Sequence, residues 1–309
     1  MDTKQTVAVL LCTYNGSQYI RRQLDSIITQ SWKDWVIYAS DDGSTDGTLD
    51  ILKEYQRKIG AERFNIVTGP GKGFAWNFIS LLQKSGDKYP WYAFCDQDDE
   101  WMPEKLAAGI SLLSNSNTLV PAVYCGRTRL VDENDHYLGE SPLFEKKPSF
   151  RNALVQSIAG GNTMLMNHAA RGLVVKTPQD VAIVSHDWWI YIIITAVGGE
   201  IIYDPTPTIK YRQHNGNLVG SNTGWMARFK RIFGLLDGHF KEWIDVNLLA
   251  LNKMTSEVNA ENKVILANFV QARKSGLFSR VKIFAKLGLY RQTFPGTLGL
   301  FIAILLKKI

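Results

Sequence analysis

Val7-Ala8-Val9-Leu10-Leu11 is an unbroken apolar run that ends at the polar turn Thr13-Tyr14-Asn15-Gly16. A short run without polar alternation is the pattern of a strand covered on both faces, as in a parallel sheet flanked by helices. Over residues 19–28 the apolar positions Ile20, Leu24, Ile27 and Ile28 recur at helical spacing. Trp35-Val36-Ile37-Tyr38-Ala39 then makes a second strand that runs into Asp41-Asp42-Gly43-Ser44. Strand, helix and strand in this order form a βαβ unit, and the fold class is α/β.

The alternation continues outward from this unit. A helix is predicted over 47–59, a strand over 64–67, and a helix over 74–83 after the glycine-rich turn Gly69-Pro70-Gly71-Lys72-Gly73. A further strand, 91–95, ends in Asp96-Gln97-Asp98-Asp99. Ligands of open α/β sheets bind beyond the carboxyl ends of the strands, so these polar clusters are predicted to share one crevice. Later elements are a helix over 103–114, strands near 122–124 and 127–132, an irregular stretch over 133–149, and a helix beginning near Asp187. Strands near 200–203 and 208–214 precede a region from Trp225 onward that reads as helix throughout.

At 309 residues with 45% apolar and 21% charged side chains, the chain is long enough for a continuous buried core and is not disordered or low-complexity. Its three cysteines, Cys12, Cys95 and Cys125, are an odd number without a C-x-x-C pair, which predicts a reducing compartment and no zinc or redox centre. The apolar run at 7–11 is too short for a signal peptide, so the expected location is the cytoplasm. The net charge of +6 is unevenly placed. Residues 225–309 hold 14 Lys and Arg against 5 Asp and Glu, whereas residues 1–224 hold 21 against 24. Two regions are expected: a catalytic domain over 1–224 and a basic helical region over 225–309.

Alone, Asp41-Asp42-Gly43-Ser44-Thr45-Asp46-Gly47 reads equally well as a solvated turn that caps the next helix. The second cluster is more demanding, because carboxylates massed at a strand end repel one another unless a cation neutralises them. A divalent cation held by one or two carboxylates and substrate phosphates fits that arrangement.

The ordered set Thr13-Tyr14-Asn15-Gly16, Asp41 to Asp46, Gly71-Lys72-Gly73 with Asn77, and Asp96-Gln97-Asp98-Asp99 resembles the family 2 glycosyltransferases of the GT-A fold. The resemblance covers roughly residues 6 to 220. Within the family, Cys95 to Asp99, His186-Asp187-Trp188-Trp189 and Tyr211-Arg212-Gln213-His214 look most like segments of bacterial rhamnosyltransferases.

The resemblance implies a nucleotide-sugar-binding, Rossmann-like and mostly parallel sheet with a C-terminal α-helical extension. It further implies inverting transfer of a sugar, L-rhamnose from dTDP-L-rhamnose, to a lipid-linked or other bacterial surface glycan precursor. Thr13, Tyr14 and Asn15 would line base and ribose, and Asp41, with Asp42 beside it, would accept the pyrimidine N3–H. Gly71, Lys72 and Asn77 would close on the nucleotide, Asp96 and Gln97 would face the ribose, and Arg212 would offer its guanidinium to phosphate. Asp98 and His214 would hold Mg²⁺ or Mn²⁺. Asp187 would be the general base, and Gly161, Asn162, His186, Trp188 and Trp189 would border the acceptor. The family commonly has an acidic residue where His186 stands.

Transfer of another hexose from a UDP-linked donor stays open, since a carboxylate reads thymine and uracil alike. A nucleotidyltransferase would need an N-terminal glycine-rich phosphate loop, which Thr13-Tyr14-Asn15-Gly16 is not. A non-catalytic sugar-nucleotide-binding module would have little use for Asp98, Asp187 and His214 together. The basic tail, with Arg228, Lys230, Arg231, Arg273, Lys274, Lys282 and Lys286 among aromatic and aliphatic residues, suits peripheral contact with the inner face of a membrane. Packing on the catalytic domain or oligomer formation suits it equally. Nucleic acid is not an expected partner, because no reading motif accompanies the charge.

Overall fold

The computed structural model describes residues 5–214 and 238–309. The expected boundary at 224/225, the basic residues Arg228, Lys230 and Arg231, and Asn215 and Asn217 beside His214 lie outside the described residues.

The first half alternates as its sequence predicts. In order come β1 (Val7–Thr13), α1 (Ile20–Ile28), β2 (Trp35–Asp41), α2 (Thr48–Ile59), β3 (Phe64–Thr68), α3 (Phe74–Lys84) and β4 (Trp91–Cys95). Every residue of β1 is buried, which is why its run shows no polar alternation. β1 pairs in parallel with β2 on one side and β4 on the other, and Thr13 stands opposite Asp41 at the carboxyl edge.

The chain continues through β5 (Glu100–Trp101), α4 (Lys105–Leu113), β6 (Ala122–Gly126), β7 (Arg129–Val131), β8 (Tyr137–Glu140) and α5 (Phe150–Ala153). A 3-10 turn at Gly161–Thr163 leads into β9 (Leu165–Asn167) and α6 (His168–Val174). α7 (His186–Ala196), β10 (Glu200–Asp204) and β11 (Ile209–Arg212) follow. The main sheet has the order β10-β6-β9-β4-β1-β2-β3. β9 runs antiparallel to both its neighbours, β4 and β6. A second sheet, β5-β11-β7-β8, draws two of its strands from within or beside the stretch that reads as irregular in the sequence.

α7 is buried on nearly all sides. Four isoleucines give it modest intrinsic helix propensity, so packing holds it: it lies against α3, α5 and α6. Among the described residues, four helices close the chain: α8 (His239–Lys253), α9 (Ala260–Lys274), α10 (Leu277–Leu287) and α11 (Phe294–Leu305). Phe240, Ile244, Leu251, Phe269, Phe284 and Ile304 belong to the same apolar cluster as Leu10, Phe78 and Trp189, so these helices share a core with the sheet.

Candidate active site

The loops after β1, β2 and β4 meet beyond the carboxyl edge of the sheet. Their joints are hydrogen bonds between polar side chains and backbone groups that no strand ladder satisfies. Asn15, in the left-handed region at φ 49, donates its N–H to Ser44 Oγ at 2.8 Å and accepts Thr45 N–H on Oδ1 at 2.9 Å. Tyr14 N–H donates to Gln97 Oε1 at 2.9 Å, and Gln97 Nε2 donates to the Tyr14 carbonyl at 3.0 Å. This reciprocal pair needs the glycine at 16, where a Cβ would fall 2.1 Å from Gln97 Oε1. Gln97 therefore splices two loops, while the Tyr14 ring stands in solvent at 59% exposure.

Asp41 is buried and its carboxylate is engaged within its own loop. It accepts from Thr13 Oγ1 at 2.8 Å, Ser44 Oγ at 2.6 Å, Ser44 N–H at 2.9 Å and Gly43 N–H at 3.3 Å. Asp42 takes the position nearer solvent and accepts the Gly71 and Gly73 N–H groups at 2.7 and 3.2 Å. The glycine-rich turn is thereby fixed over the β2 loop with Lys72 exposed at its tip. Asn77 does not face this crevice. It is buried, accepts Ser40 Oγ at 2.5 Å and donates to the Ser40 carbonyl at 3.2 Å.

Beyond β4 the carboxylates gather. His214 Nε2 lies 3.0 Å from Asp98 Oδ2, and its ring packs on Tyr19 with centroids 4.9 Å apart. Burial, followed by the charges of Asp98 and Asp187, raises the Asp96 carboxyl well above the ordinary range. Asp187, in the first turn of α7, accepts its neighbour Trp188 N–H at 2.8 Å. Tyr211 has its phenol pushed up by burial and then by Asp99, Asp96, Asp98 and Asp187, so it sits amid all four acids. Carboxyl groups gathered beside an imidazole make a donor set suited to a hard divalent cation. Asp98 and His214 are the residues that could hold one, with Asp96 close by. Among the described residues no group of three or more His, Cys, Asp or Glu is arranged as a ready-made metal cage.

Several expected ligand contacts turn inward instead. Arg212 is fully buried: its Nη2 pairs with Asp135 Oδ1 at 2.7 Å, its Nη1 donates to the Asp132 and Glu133 carbonyls, and its guanidinium lies over Tyr19. It clamps the β7–β8 turn and is not a phosphate ligand here. Trp188 and Trp189 are buried, with indole N–H groups donated to the Ala153 carbonyl at 2.7 Å and Thr177 Oγ1 at 2.8 Å. They offer no stacking face to an acceptor, because α7 is wrapped in protein. His186 is likewise buried, stacked on Phe78 with centroids 4.1 Å apart and edge-on to Phe94 and Phe74. Among the described residues neither of its ring nitrogens has a hydrogen-bond partner, and burial lowers it to about 4, the nearby Asp187 charge only partly opposing. Gly161 makes room for it, since a Cβ there would fall 1.8 Å from His186 Nε2.

Asp99, which sequence reasoning left without a role, is the hub of this region. Fully buried, it accepts from Asn162 Nδ2 and, at 3.3 Å, from Arg212 N–H. One carboxylate thus joins the loop bearing Asp98, the turn bearing Gly161 and Asn162, and the strand end leading to His214. Burial first, then Asp98 and Asp96, raise its carboxyl strongly. Tyr19, packed under both His214 and Arg212, was equally silent in the sequence.

A mostly parallel sheet whose carboxylates and histidine converge beyond its carboxyl edge is the frame of a GT-A glycosyltransferase. The chain belongs to glycosyl transferase family 2, whose model matches residues 8–172. It is 32% identical over 233 residues to the dTDP-rhamnosyl transferase RfbG of Shigella flexneri, covering 72% of this chain and 78% of that protein. Among solved structures, S. aureus TarS (residues 1–349) in complex with UDP-GlcNAc superposes with a TM-score of 0.57 at 17% identity, covering 92% of this chain and 80% of that one. The mannosyltransferase PcManGT from Pyrobaculum calidifontis, in complex with GDP-Man and Mn²⁺, gives 0.52 at 18% identity over 99% of this chain and 86% of that one.

Proposed function

We propose that this glycosyltransferase moves L-rhamnose from dTDP-L-rhamnose to a hydroxyl of a bacterial surface glycan precursor, with inversion at the anomeric carbon. The observation that carries the reading is the meeting of Asp96, Asp98, His214 and Asp187 at one edge of the sheet. The likeness to RfbG, a dTDP-rhamnosyl transferase, supports the choice of sugar and nucleotide.

On the donor side, Tyr14, Asp42 and Lys72 are the accessible groups: a flat ring for the base, an acceptor for a ring N–H, and a cation for phosphate. Asp98 and His214 would hold the divalent cation, Mg²⁺ or Mn²⁺, which supplies neutralisation of the charge that grows on the departing diphosphate. Asp187 takes the proton of the acceptor hydroxyl as that oxygen attacks, and no covalent sugar–protein intermediate is required.

The test is a thermal-shift comparison of dTDP, UDP, GDP and ADP, each with Mn²⁺ and with a chelator, followed by turnover of Asp187→Asn. A ligand at about 100 times its Kd adds about 2.7 kcal/mol to apparent stability. A Mn²⁺-dependent shift larger for dTDP than for UDP is expected, with Asp187→Asn keeping that shift while turnover falls by about 10²- to 10⁴-fold. Absence of a shift with any pyrimidine diphosphate, or full turnover in Asp187→Asn, overturns the reading.

A further inference from the structure

The helix α11 is apolar on both faces, and only one is covered. Gly299, Leu300, Ala303 and Ile304 face the core, whereas Phe294, Leu298, Phe301, Ile302, Leu305 and Leu306 point to solvent. Their spacing of four, three, one, three and one keeps them on a single stripe. Phe294 is 79% exposed, and Phe278, at the start of α10, is 89% exposed. Arg280 Nη1 donates to the Ile304 carbonyl at 3.2 Å, which brings the start of α10 to the same end of the hairpin as Leu305 and Leu306. A continuous outward apolar stripe of this kind marks a surface that is covered in use.

Charge identifies the cover. From Asn262 to Ile309 the chain carries nine Lys and Arg and not one Asp or Glu. Lys282, Lys286 and Lys307 are exposed on the same helical hairpin or at its end. Two copies meeting through this face would bring together two surfaces of the same sign, whereas an anionic bilayer supplies both apolar depth and opposite charge. No described helix is long and apolar enough to cross a membrane, so the helix would lie in the interface.

We infer that the α10–α11 hairpin is a docking surface for anionic lipid bilayer, with the Phe294 to Leu306 stripe inserted among the acyl chains and the lysines at the headgroups. The placement orients the enzyme. Between the two helices, Arg291 Nη1 donates to the Val155 carbonyl at 2.9 Å and Gln292 N–H to Gln156 Oε1 at 2.8 Å. Lys146 and Gln292 exchange two further bonds, at 3.1 and 3.0 Å. The hairpin is thereby tied to the segment that leads into Gly161–Thr163. Resting on the glycosyltransferase reading, this geometry turns that side of the crevice toward the membrane and fits an acceptor carried on a lipid.

The test is co-sedimentation of the full chain with vesicles of phosphatidylcholine alone and of equimolar phosphatidylcholine and phosphatidylglycerol, alongside sedimentation velocity without lipid. Binding to the anionic vesicles is expected, weakened about tenfold or more in the double variant Leu298→Glu/Phe301→Glu and about tenfold in Lys282→Gln/Lys286→Gln. The replaced side chains are exposed, so the thermal midpoint and the dTDP shift stay as in the parent. No binding to anionic vesicles, or binding that the Leu298→Glu/Phe301→Glu variant leaves unchanged, overturns the inference. So does a lipid-free dimer that this variant dissolves without any vesicle binding. Loss of lipid binding with an intact dTDP shift leaves the transferase reading standing, and the converse result leaves the docking surface standing.

Discussion

Asn162 donates its side-chain amide to Asp99, a fully buried carboxylate 63 positions earlier in the chain. The other oxygen of Asp99 takes the Arg212 N–H, so this one side chain registers the loop of Asp98 against the approach to His214. A carboxyl group suits the position because its two oxygens accept from two directions at once, and the two hydrogen bonds offset part of the cost of burying it.

Exchanging the two residues tests that relation. Asn162→Asp alone places a second carboxylate against Asp99 inside the protein, and a stability loss of about 3 kcal/mol or more is expected. Adding Asp99→Asn restores a donor–acceptor pair in the opposite sense, while the amide oxygen it introduces still accepts from the Arg212 N–H. The double variant should recover most of the lost midpoint and of the Mn²⁺-dependent nucleotide shift. Additive losses in a denaturation cycle would show that the contact is incidental.

His186 gives a pH dependence with a definite sign. Its folded-state value of about 4 lies below the ordinary histidine value, so the unfolded chain takes up the proton first as the pH falls. Stability from this residue is intact above about pH 6.5 and is lost progressively down to about pH 4, the loss reaching about 3 kcal/mol at the lower end. His186→Leu fills the Phe78 and Phe94 cage without unpartnered nitrogens. It should keep or raise the midpoint at about pH 7.5 and flatten the decline between about pH 6.5 and 4. An unchanged acid limb in urea titrations would mean that other groups produce it.

Arg212 separates a structural role from phosphate binding. Replacing it with Met removes a partner of Asp135 from a fully buried position, and a loss of about 3 kcal/mol is expected. Below the new midpoint, the folded protein should bind dTDP with Mn²⁺ as the parent does. A tenfold weaker nucleotide with an unshifted midpoint, measured by calorimetry, would return Arg212 to the phosphate site.

The parallel sheet was legible because β1, β2 and β4 are buried on both faces and say so in unbroken apolar runs. The polar clusters at their ends were legible for the same reason: the runs stop where the crevice begins. What the sequence conceals is direction. Arg212, Trp188 and Trp189 are residue types that serve ligands when exposed, and their inward orientation depends on partners as distant as Asp135, Ala153 and Thr177. The unbroken apolar run from Trp188 to Ile194 does carry a signal of a helix covered all round, against an exposed tryptophan pair. β7 was legible as the strand near 127–132, whereas β8, four residues long and paired only with β7 at the sheet edge, left no local pattern in the stretch that reads as irregular. The choice between Asp41 and Asp42 was equally invisible, since neighbouring acids differ only in which one the loop closes upon.

β9 is three residues long, yet it is the strand that joins β4 to β6 in the main sheet. The block from β1 to β4 comes from 89 consecutive residues, Val7 to Cys95, and its β1–β2, β2–β3 and β1–β4 pairings all lie within that span. β6 has to wait for a strand 70 positions beyond β4 before it can be joined to that block, and β10 follows later still. Closing long loops before their contacts form slows assembly, so the nucleotide side of this enzyme should acquire structure early and the acceptor side late. On the ribosome, that order would leave a half-sheet with an open β4 edge waiting for Leu165, Met166 and Asn167 to emerge.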